Sequence, residues 1–417
     1  MGSYRYIHYQ TALSTWIIEQ FLVSNLPQSS TIQLRADDST QELARIYRDL
    51  NLVCRLSGRF KPVAIPTNAR LTIPIISIEE LNLPAEEQIS PTQPRMDLSQ
   101  STILLTGGTG SFGNAFARRI ARDWPTATVR IYSRDELKQS EMRDRFAGDQ
   151  FRFMIGDVRD RHRLMRAASG VDVLIHAAAL KQVPACEYNP FEAVQTNVIG
   201  AQNVVDVAID SGVRSVIGVS TDKAVNPVNL YGATKLCAEK IMIQGNAYAA
   251  RSETRISCVR YGNVIGSRGS VVNVFRSQRD SGTVPITDPR MTRFWISLDQ
   301  AVDLVLYAIR EQIGGEVFVP KIPSIKITDL ASAMAPGVPT KIVGIRAGEK
   351  LHELLITADE SRHAFEHDDV FVIVPEHPWW EMTNKWQLGT PLKDGFVYSS
   401  ESNDHWLDEE YLRQTVT

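Results

Sequence analysis

Cysteine is scarce. The 417 residues hold four, Cys54, Cys186, Cys237 and Cys258, far apart and without C-x-x-C pairs or histidine spacing. That argues against a disulfide framework and a zinc site, and leaves reduced thiols, no bound metal and a cytoplasmic location as the expectation. An excess of one charge is also missing: 45 Lys and Arg face 48 Asp and Glu, a net charge of −3. Nothing therefore draws the chain generally to nucleic acid or anionic lipid, and a basic residue that meets an anion must do so inside a site. No apolar run approaches the roughly 18 residues of a membrane span, and the start lacks the basic flank, apolar run and cleavage site of a secretory leader. No repeat with a period of about 20 to 50 residues is visible.

What is present is an ordinary globular composition, 43% hydrophobic and 22% charged, long enough for two or three domains. Residues 1–90 read as a small α/β module: a helix over Thr11 to Val23, a strand over Thr31 to Arg35, a helix over Gln41 to Leu50, and a strand and turn over Ile73 to Leu81. Pro91, Pro94 and polar neighbours make 91–100 a linker. Beyond it the apolar runs Thr102 to Thr106, Thr128 to Tyr132, Val171 to Ala178 and Val213 to Val219 alternate with helical patterns. Short β-branched runs, apolar on both faces, predict a Rossmann-like, doubly wound parallel sheet over 101–265. Over 266–417 the alternation loosens into short strands, prolines and aromatics, as expected of a smaller substrate-binding region with elements returning to the core.

The run Ile103-Leu104-Leu105 leads into Thr106-Gly107-Gly108-Thr109-Gly110-Ser111-Phe112-Gly113, and a helical pattern follows from Asn114 to Arg122. Gly107 permits the turn, Gly110 lets backbone approach a pyrophosphate, and Gly113 allows close packing of helix and strand. The helix N-terminus then faces the phosphates. The next strand ends in Ser133-Arg134, with Lys138 a turn later, which favours the 2′-phosphate of NADP over NAD. Asp135 and Glu136 lie close by, and the alternative is that both cations are solvated surface charges. Asp157 can reach an adenine amino group with Val158 against the ring, and Ala177-Ala178 let a cofactor backbone pass.

A second cluster carries chemistry. Thr221-Asp222-Lys223 ends the strand Val213 to Val219, and Tyr231 and Lys235 stand four apart on one helix face. Lys235 can bind the nicotinamide ribose and lower the phenol pKa, so that Tyr231 takes a proton from an alcohol as it is oxidised. Adjacent Lys223 and Asp222 provide a base and an acid, as loss of water beside a new ketone requires, with Thr221 positioning substrate. A strand-terminal turn with a surface ion pair is the alternative.

At these residues the chain resembles the inverting UDP-N-acetylglucosamine 4,6-dehydratases that open pseudaminic acid biosynthesis, members of the extended short-chain dehydrogenases/reductases. The resemblance rests on T-G-G-T-G-S-F-G, Y-S-R-D-E-L-K-Q, H-A-A-A-L-K-Q-V-P, S-T-D-K-A-V-N-P-V-N-L-Y-G-A-T-K, R-Y-G-N-V-I-G-S-R-G-S-V-V, M-T-R-F-W-I and G-I-R-A-G-E-K-L-H-E, from about Thr102 onward. It implies catalytic roles for Asp222, Lys223 and Tyr231. Cofactor contacts are implied at Thr109, Gly110, Ser111, Phe112, Ser133, Arg134, Asp135, Lys138, Asp157, Val158, Ala177, Lys181, Tyr231, Lys235 and Val264. It implies substrate contacts at Lys181, Asn263, Arg293, Arg346 and Glu349, the arginines toward a diphosphate and Glu349 toward a hydroxyl. His352 and Glu353 are expected to orient their loop.

The resemblance further implies a tightly bound, recycled NADP, UDP-N-acetylglucosamine as substrate and a homo-oligomer. Relatives that are membrane-anchored or retain configuration often carry methionine where Tyr231 stands, so the tyrosine points to inversion at carbon 5. Two departures stand out: Ala347 replaces the usual proline, and residues 1–90 have no counterpart in the compact enzymes. The module's expected part is in oligomer assembly. The competing readings are an epimerase that stops at reduction of the ketone, and a catalytically silent NADP-binding module.

Overall fold

A computed structural model describes residues 32–33, 72–73, 97–146, 148–249, 253–266, 275, 282–376 and 384–416. The chain divides into two compact units, Met1–Gln93 and Pro94–Thr417. In the first, Ile32–Gln33 pairs antiparallel with Thr72–Ile73. These residues overlap the two expected strands; the helices expected over 11–23 and 41–50 lie outside the described residues. The described end of the expected linker is ordered, because Asp97 caps a helical turn over Leu98–Gln100 and Leu98 is buried in the main core.

In the second unit the apolar runs become β1 (Thr102–Thr106), β2 (Thr128–Ser133), β3 (Phe151–Ile155), β4 (Val173–His176), β5 (Ser215–Val219) and β6 (Arg255–Val259). Between them lie the helices α1 (Ser111–Asp123), α2 (Glu136–Arg145), α3 (Arg161–Ala168), α4 (Val183–Tyr188), α5 (Pro190–Val194), α6 (Gly200–Asp210) and α7 (Leu230–Tyr248). Later come β7 (Asn263–Val264), β8 (Val284–Ile286), β9 (Thr292–Ile296), α8 (Leu298–Glu311), β10 (Val317–Pro320), β11 (Ser324–Lys326), α9 (Ile327–Met334), β12 (Thr340–Ile342) and β13 (Leu354–Ile356). The last strands are β14 (Ala364–Glu366), β15 (Val370–Ile373), β16 (Thr390–Pro391) and β17 (Tyr398–Ser399).

The main sheet has the order β16-β14-β15-β10-β6-β5-β4-β1-β2-β3. From β3 through β10 all pairings are parallel, while β15, β14 and β16 add antiparallel strands at one edge. All four side chains of β4 are buried, as helices on both faces of a parallel sheet require. Strand order reverses between β1 and β4, the switch point at which such sheets open a crevice at their carboxyl ends. Register aligns those ends: Thr106 pairs with Tyr132 and His176, and His176 with Gly218. The glycine turn, Ser133-Arg134, Ala177 and Thr221-Asp222-Lys223 therefore leave one rim.

The later part builds a lobe with its own core, in which Trp295, Ile325, Leu330 and Leu412 pack together. Its sheet β11-β9-β7 is tied to the main sheet by the short step from β6 to β7. That step brings Asn263, and the turn before β13 brings residues 346–353, to the same rim.

Candidate active site

The turn after β1 fits a dinucleotide's phosphates. Gly107 has φ +67°, and a Cβ there would stand 2.8 Å from the Ala177 backbone, so no side chain fits between the two strand ends. Gly110 is the N-cap of α1 without a side-chain capping bond, which leaves the helix entrance open to an anion. A Cβ on Gly113 would lie 2.1 Å from Gly108 O, so the expected close packing is of α1 against the turn itself. The buried His176 ring bonds Thr106 Oγ1 at 2.9 Å and ties β1 to β4 across the switch point. Burial, then Lys235, pushes its pKa down to about 3, so the ring is neutral.

The expected adenosine contacts are already engaged with protein partners. Thr109 Oγ1 donates to Ser133 Oγ at 3.1 Å. Asp135 caps α2, accepting from Lys138 N at 3.0 Å and pairing with the Lys138 ammonium. Arg134 stands 3.4 Å from Asp157, and Arg159 holds the same carboxylate at 2.8 Å. Burial opposes ionisation of Asp157, but the bonds from Arg159 outweigh it and keep the carboxyl below its usual range. Val158 is buried, and a Cβ on Gly200 would meet it at 2.8 Å, so it packs on α6.

In the second cluster, Thr221, Asp222 and Lys223 lie against the first turn of α7. Asn229 caps α7 through a 2.7 Å bond from Gly232 N, and its Nδ2 donates to Gly348 O at 2.8 Å. A Cβ on Gly232 would lie 2.2 Å from Lys223 O, so only glycine lets the first turn of α7 rest on the 222–224 turn. Tyr231 is thereby brought beside Thr221, whose Oγ1 donates to Asp222 Oδ1 at 2.9 Å. Lys223 Nζ donates to Asp222 Oδ2 at 2.8 Å and to Asn263 Oδ1 at 2.7 Å. Asp222 is wholly buried; burial raises its pKa, Lys223 opposing and Glu353 adding to the rise.

Two electrostatic expectations change. Lys235 donates to Val219 O at 2.8 Å and does not figure among the groups that move the Tyr231 phenol, which burial pushes up. Lys235 itself is lowered, chiefly by burial. Second, burial opposes the Lys223 ammonium, but Asp222 and Glu353 outweigh it and hold its pKa up. A base at Lys223 must therefore first hand over a proton, and Asp222 is in contact to take it.

Of the expected substrate residues, Lys181 lies near the catalytic pair, its pKa lowered by desolvation and then Lys223. Arg293 is buried, and its guanidinium donates to Thr292 O, Leu351 O and Lys350 O at 2.7, 2.9 and 3.0 Å. It organises the 350–351 turn. Arg346 is exposed and lies 3.9 Å from Glu349. Val264 sits on β7 opposite Ile296.

Three neighbours had not been singled out: Lys350, Glu239 and Arg159. Lys350 lies 3.7 Å from Glu353. Glu239, one helical turn beyond Lys235, accepts from Ser220 Oγ at 2.6 Å and pairs with buried Arg260 at 2.5 Å. Its spacing after Tyr231 and Lys235 was a usable signal.

The family model described as polysaccharide biosynthesis protein matches residues 103–375. A Campylobacter jejuni protein named UDP-N-acetylglucosamine 4,6-dehydratase (inverting) is 48% identical over 326 residues, 76% of this chain and 98% of that one. The chain belongs to the extended short-chain dehydrogenases/reductases of polysaccharide biosynthesis. Another relative, from Rickettsia conorii and named UDP-glucose 4-epimerase, is 44% identical over 65% of this chain and 82% of its own length. The crystal structure of Pen from Bacillus thuringiensis is 36% identical with a TM-score of 0.69, over 76% of this chain and 98% of that chain.

Proposed function

We propose that the chain is a hydro-lyase that converts UDP-N-acetylglucosamine to a UDP-4-keto-6-deoxy-N-acetylhexosamine with inversion at carbon 5. The observation that carries this is the Asp222–Lys223 pair, 2.8 Å apart at the end of β5, with Thr221 bonded to Asp222 and set beside Tyr231. The C. jejuni relative's name supports the sugar and the stereochemistry. When bound, a nicotinamide dinucleotide supplies two-electron redox chemistry at carbons 4 and 6. Gly107, Thr109 to Gly113, Ala177 and Ala178 would hold its phosphates and ribose, with Lys235 beside the nicotinamide end. Tyr231, with Thr221 beside it, takes the proton of the 4-hydroxyl. Lys223, relieved of a proton by Asp222, removes the proton from carbon 5, and Asp222 protonates the leaving 6-oxygen. Arg346 and Lys181 attract the diphosphate.

The test is incubation of purified protein with UDP-N-acetylglucosamine and no added cofactor. Mass spectrometry should show loss of one water; an unchanged mass with a changed sugar would establish the epimerase reading, which the R. conorii relative's name favours. Proton NMR at carbon 5 reads the configuration, and inversion would support a place in pseudaminic acid biosynthesis.

Arg134 and Lys138 at the end of β2 support NADP over NAD, which identification of the dinucleotide released on denaturation checks. Tyr188 and Phe191 on α4 and α5, 88% and 82% exposed, support a homo-oligomer, readable by light scattering. Cys186, Cys237 and Cys258 are unpaired, and no helix among the described residues is long and apolar enough to cross a membrane, in keeping with a cytoplasmic enzyme. Residues 1–90 would assist assembly, with 101–265 as the dinucleotide core and 266–417 mainly holding substrate.

A further inference from the structure

Glu353, in the turn before β13, is 3% exposed and faces three cations. Its Oε1 stands 3.4 Å from Lys223 Nζ and 3.9 Å from Arg293 Nε, and its Oε2 lies 3.7 Å from Lys350 Nζ. Oε2 is buried and accepts no hydrogen bond. The turn does not need this side chain for its shape. Glu353 N donates to Ser400 Oγ and Ser400 N donates to Glu353 O, both at 2.9 Å, so the backbone pins it. A buried carboxylate that is under-bonded, and superfluous to the turn that carries it, points to a use for its charge.

We propose that Glu353 is a positioning residue whose charge, beside that of Asp222, holds Lys223 in place for the elimination step and sets the pH range in which the pair works. This rests on the dehydratase reading above. Lys223 faces two carboxylates, and they are not equivalent. Burial disfavours charge on both, but Lys223, Arg293 and Lys350 together keep Glu353 ionised, whereas Asp222 is raised by burial and further by Glu353. Asp222 is therefore the one that takes the proton. The Lys223 N–H bond breaks as an Asp222 O–H bond forms, which leaves a neutral amine and a neutral acid. The amine takes the proton from carbon 5, the C–H electron pair becomes the new carbon–carbon double bond, and the bond from carbon 6 to oxygen breaks. The Asp222 proton leaves with that oxygen as water. The pair ends as ammonium and carboxylate, as it began, and Glu353 has kept its charge throughout.

Loss of the anion lowers the pKa of both Asp222 and Lys223. The other charged groups facing the pair, Arg293 on β9, Lys350 in the same turn and Lys181 after β4, are cations that push the same way. Both limbs of the pH–rate bell should therefore move to lower pH in Glu353→Gln.

The experiment compares wild type, Glu353→Gln and Glu353→Asp by mass-detected water loss, pH profile, thermal midpoint and the near-ultraviolet absorbance of reduced nicotinamide during turnover. The Gln variant should fold, with KM within about threefold and kcat lowered roughly 30- to 100-fold, less than the 10²–10⁴-fold worth of an acid–base group itself. Its bell should shift to lower pH, and reduced nicotinamide should accumulate because oxidation of carbon 4 outruns elimination. The Asp variant should recover about a tenth or more of the activity and the wild-type pH profile. A Gln variant with kcat within threefold, an unmoved bell, no accumulation, or no folded state would make Glu353 structural and overturn the assignment. Wild-type protein that releases no water would refute the dehydratase reading and this assignment with it.

Discussion

Replacing Arg260 by methionine should destabilise the second unit and flatten its pH dependence in the acid range. Arg260 is 1% exposed and holds Glu239 at 2.5 Å and Glu360 at 2.8 Å, while its Nη1 also donates to Leu355 O. It joins α7 to the turn after β13. Without it two carboxylates lose their cation, Glu239 fully buried and Glu360 with 19% of its side chain exposed. Breaking a buried pair costs about 3–5 kcal/mol because the remaining charge stays desolvated. The more exposed Glu360 adds little to that, since solvent screens it. In wild type, burial works against the Glu360 carboxylate but Arg260 outweighs it, so its pKa is depressed. Such a group stabilises the fold above its unfolded pKa, and that contribution is lost as pH falls through the folded value. In Arg260→Met only the Thr357 hydrogen bond and Lys240 still oppose burial, so the folded pKa of Glu360 rises and less stability should be lost as pH falls from neutral to about 5. Urea unfolding followed by the fluorescence of buried Trp295 and Trp386 measures this. Adding Glu239→Gln to the same chain should recover more than half of the loss. A cost below about 1 kcal/mol at neutral pH, or stability that falls with pH as steeply as in wild type, would refute the reasoning.

Lys223→Met should bind the sugar nucleotide yet release no water, and reduced nicotinamide should persist after mixing; continued water loss would remove Lys223 from the mechanism. Tyr231→Phe should block the earlier oxidation and show no such absorbance, with activity down by about 10²–10⁴-fold. Gly232→Ala places a Cβ 2.2 Å from Lys223 O, so α7 must shift and kcat should drop at least tenfold, read beside an intact thermal midpoint. Asn229→Ala loses a helix cap worth about 1 kcal/mol and the tie to Gly348, so KM should rise several-fold with a modest fall in stability.

The parts of the fold and site that were legible in sequence are those written in neighbouring residues. Apolar runs and the glycine turn located β1, β2, β4, β5 and α1 within a few residues, because a buried parallel strand and a phosphate turn are local patterns. Tyr231 and Lys235 were legible for the same reason, four apart on one helix. Protonation was not. Lys223 is held as an ammonium by Asp222 beside it and also by Glu353, 130 positions away, which reaches it only through the turn before β13. Arg293 looks like an anion clamp in sequence, and only the path of residues 350–351 reveals that backbone carbonyls occupy its donors. Val158 likewise shows its partner only once α6 is laid against it.

The double duty of Asn229 bears on how members of this family can be recombined. One side chain starts the catalytic helix with its oxygen and latches Gly348, at φ +78°, with its nitrogen. A graft of the 340–350 segment from a homologue, made to alter sugar preference, would bring in a loop cut to another latch. It would disturb the entrance to α7 as well as the specificity it was meant to change. The unit to exchange is the segment together with 226–232, moved as one cassette.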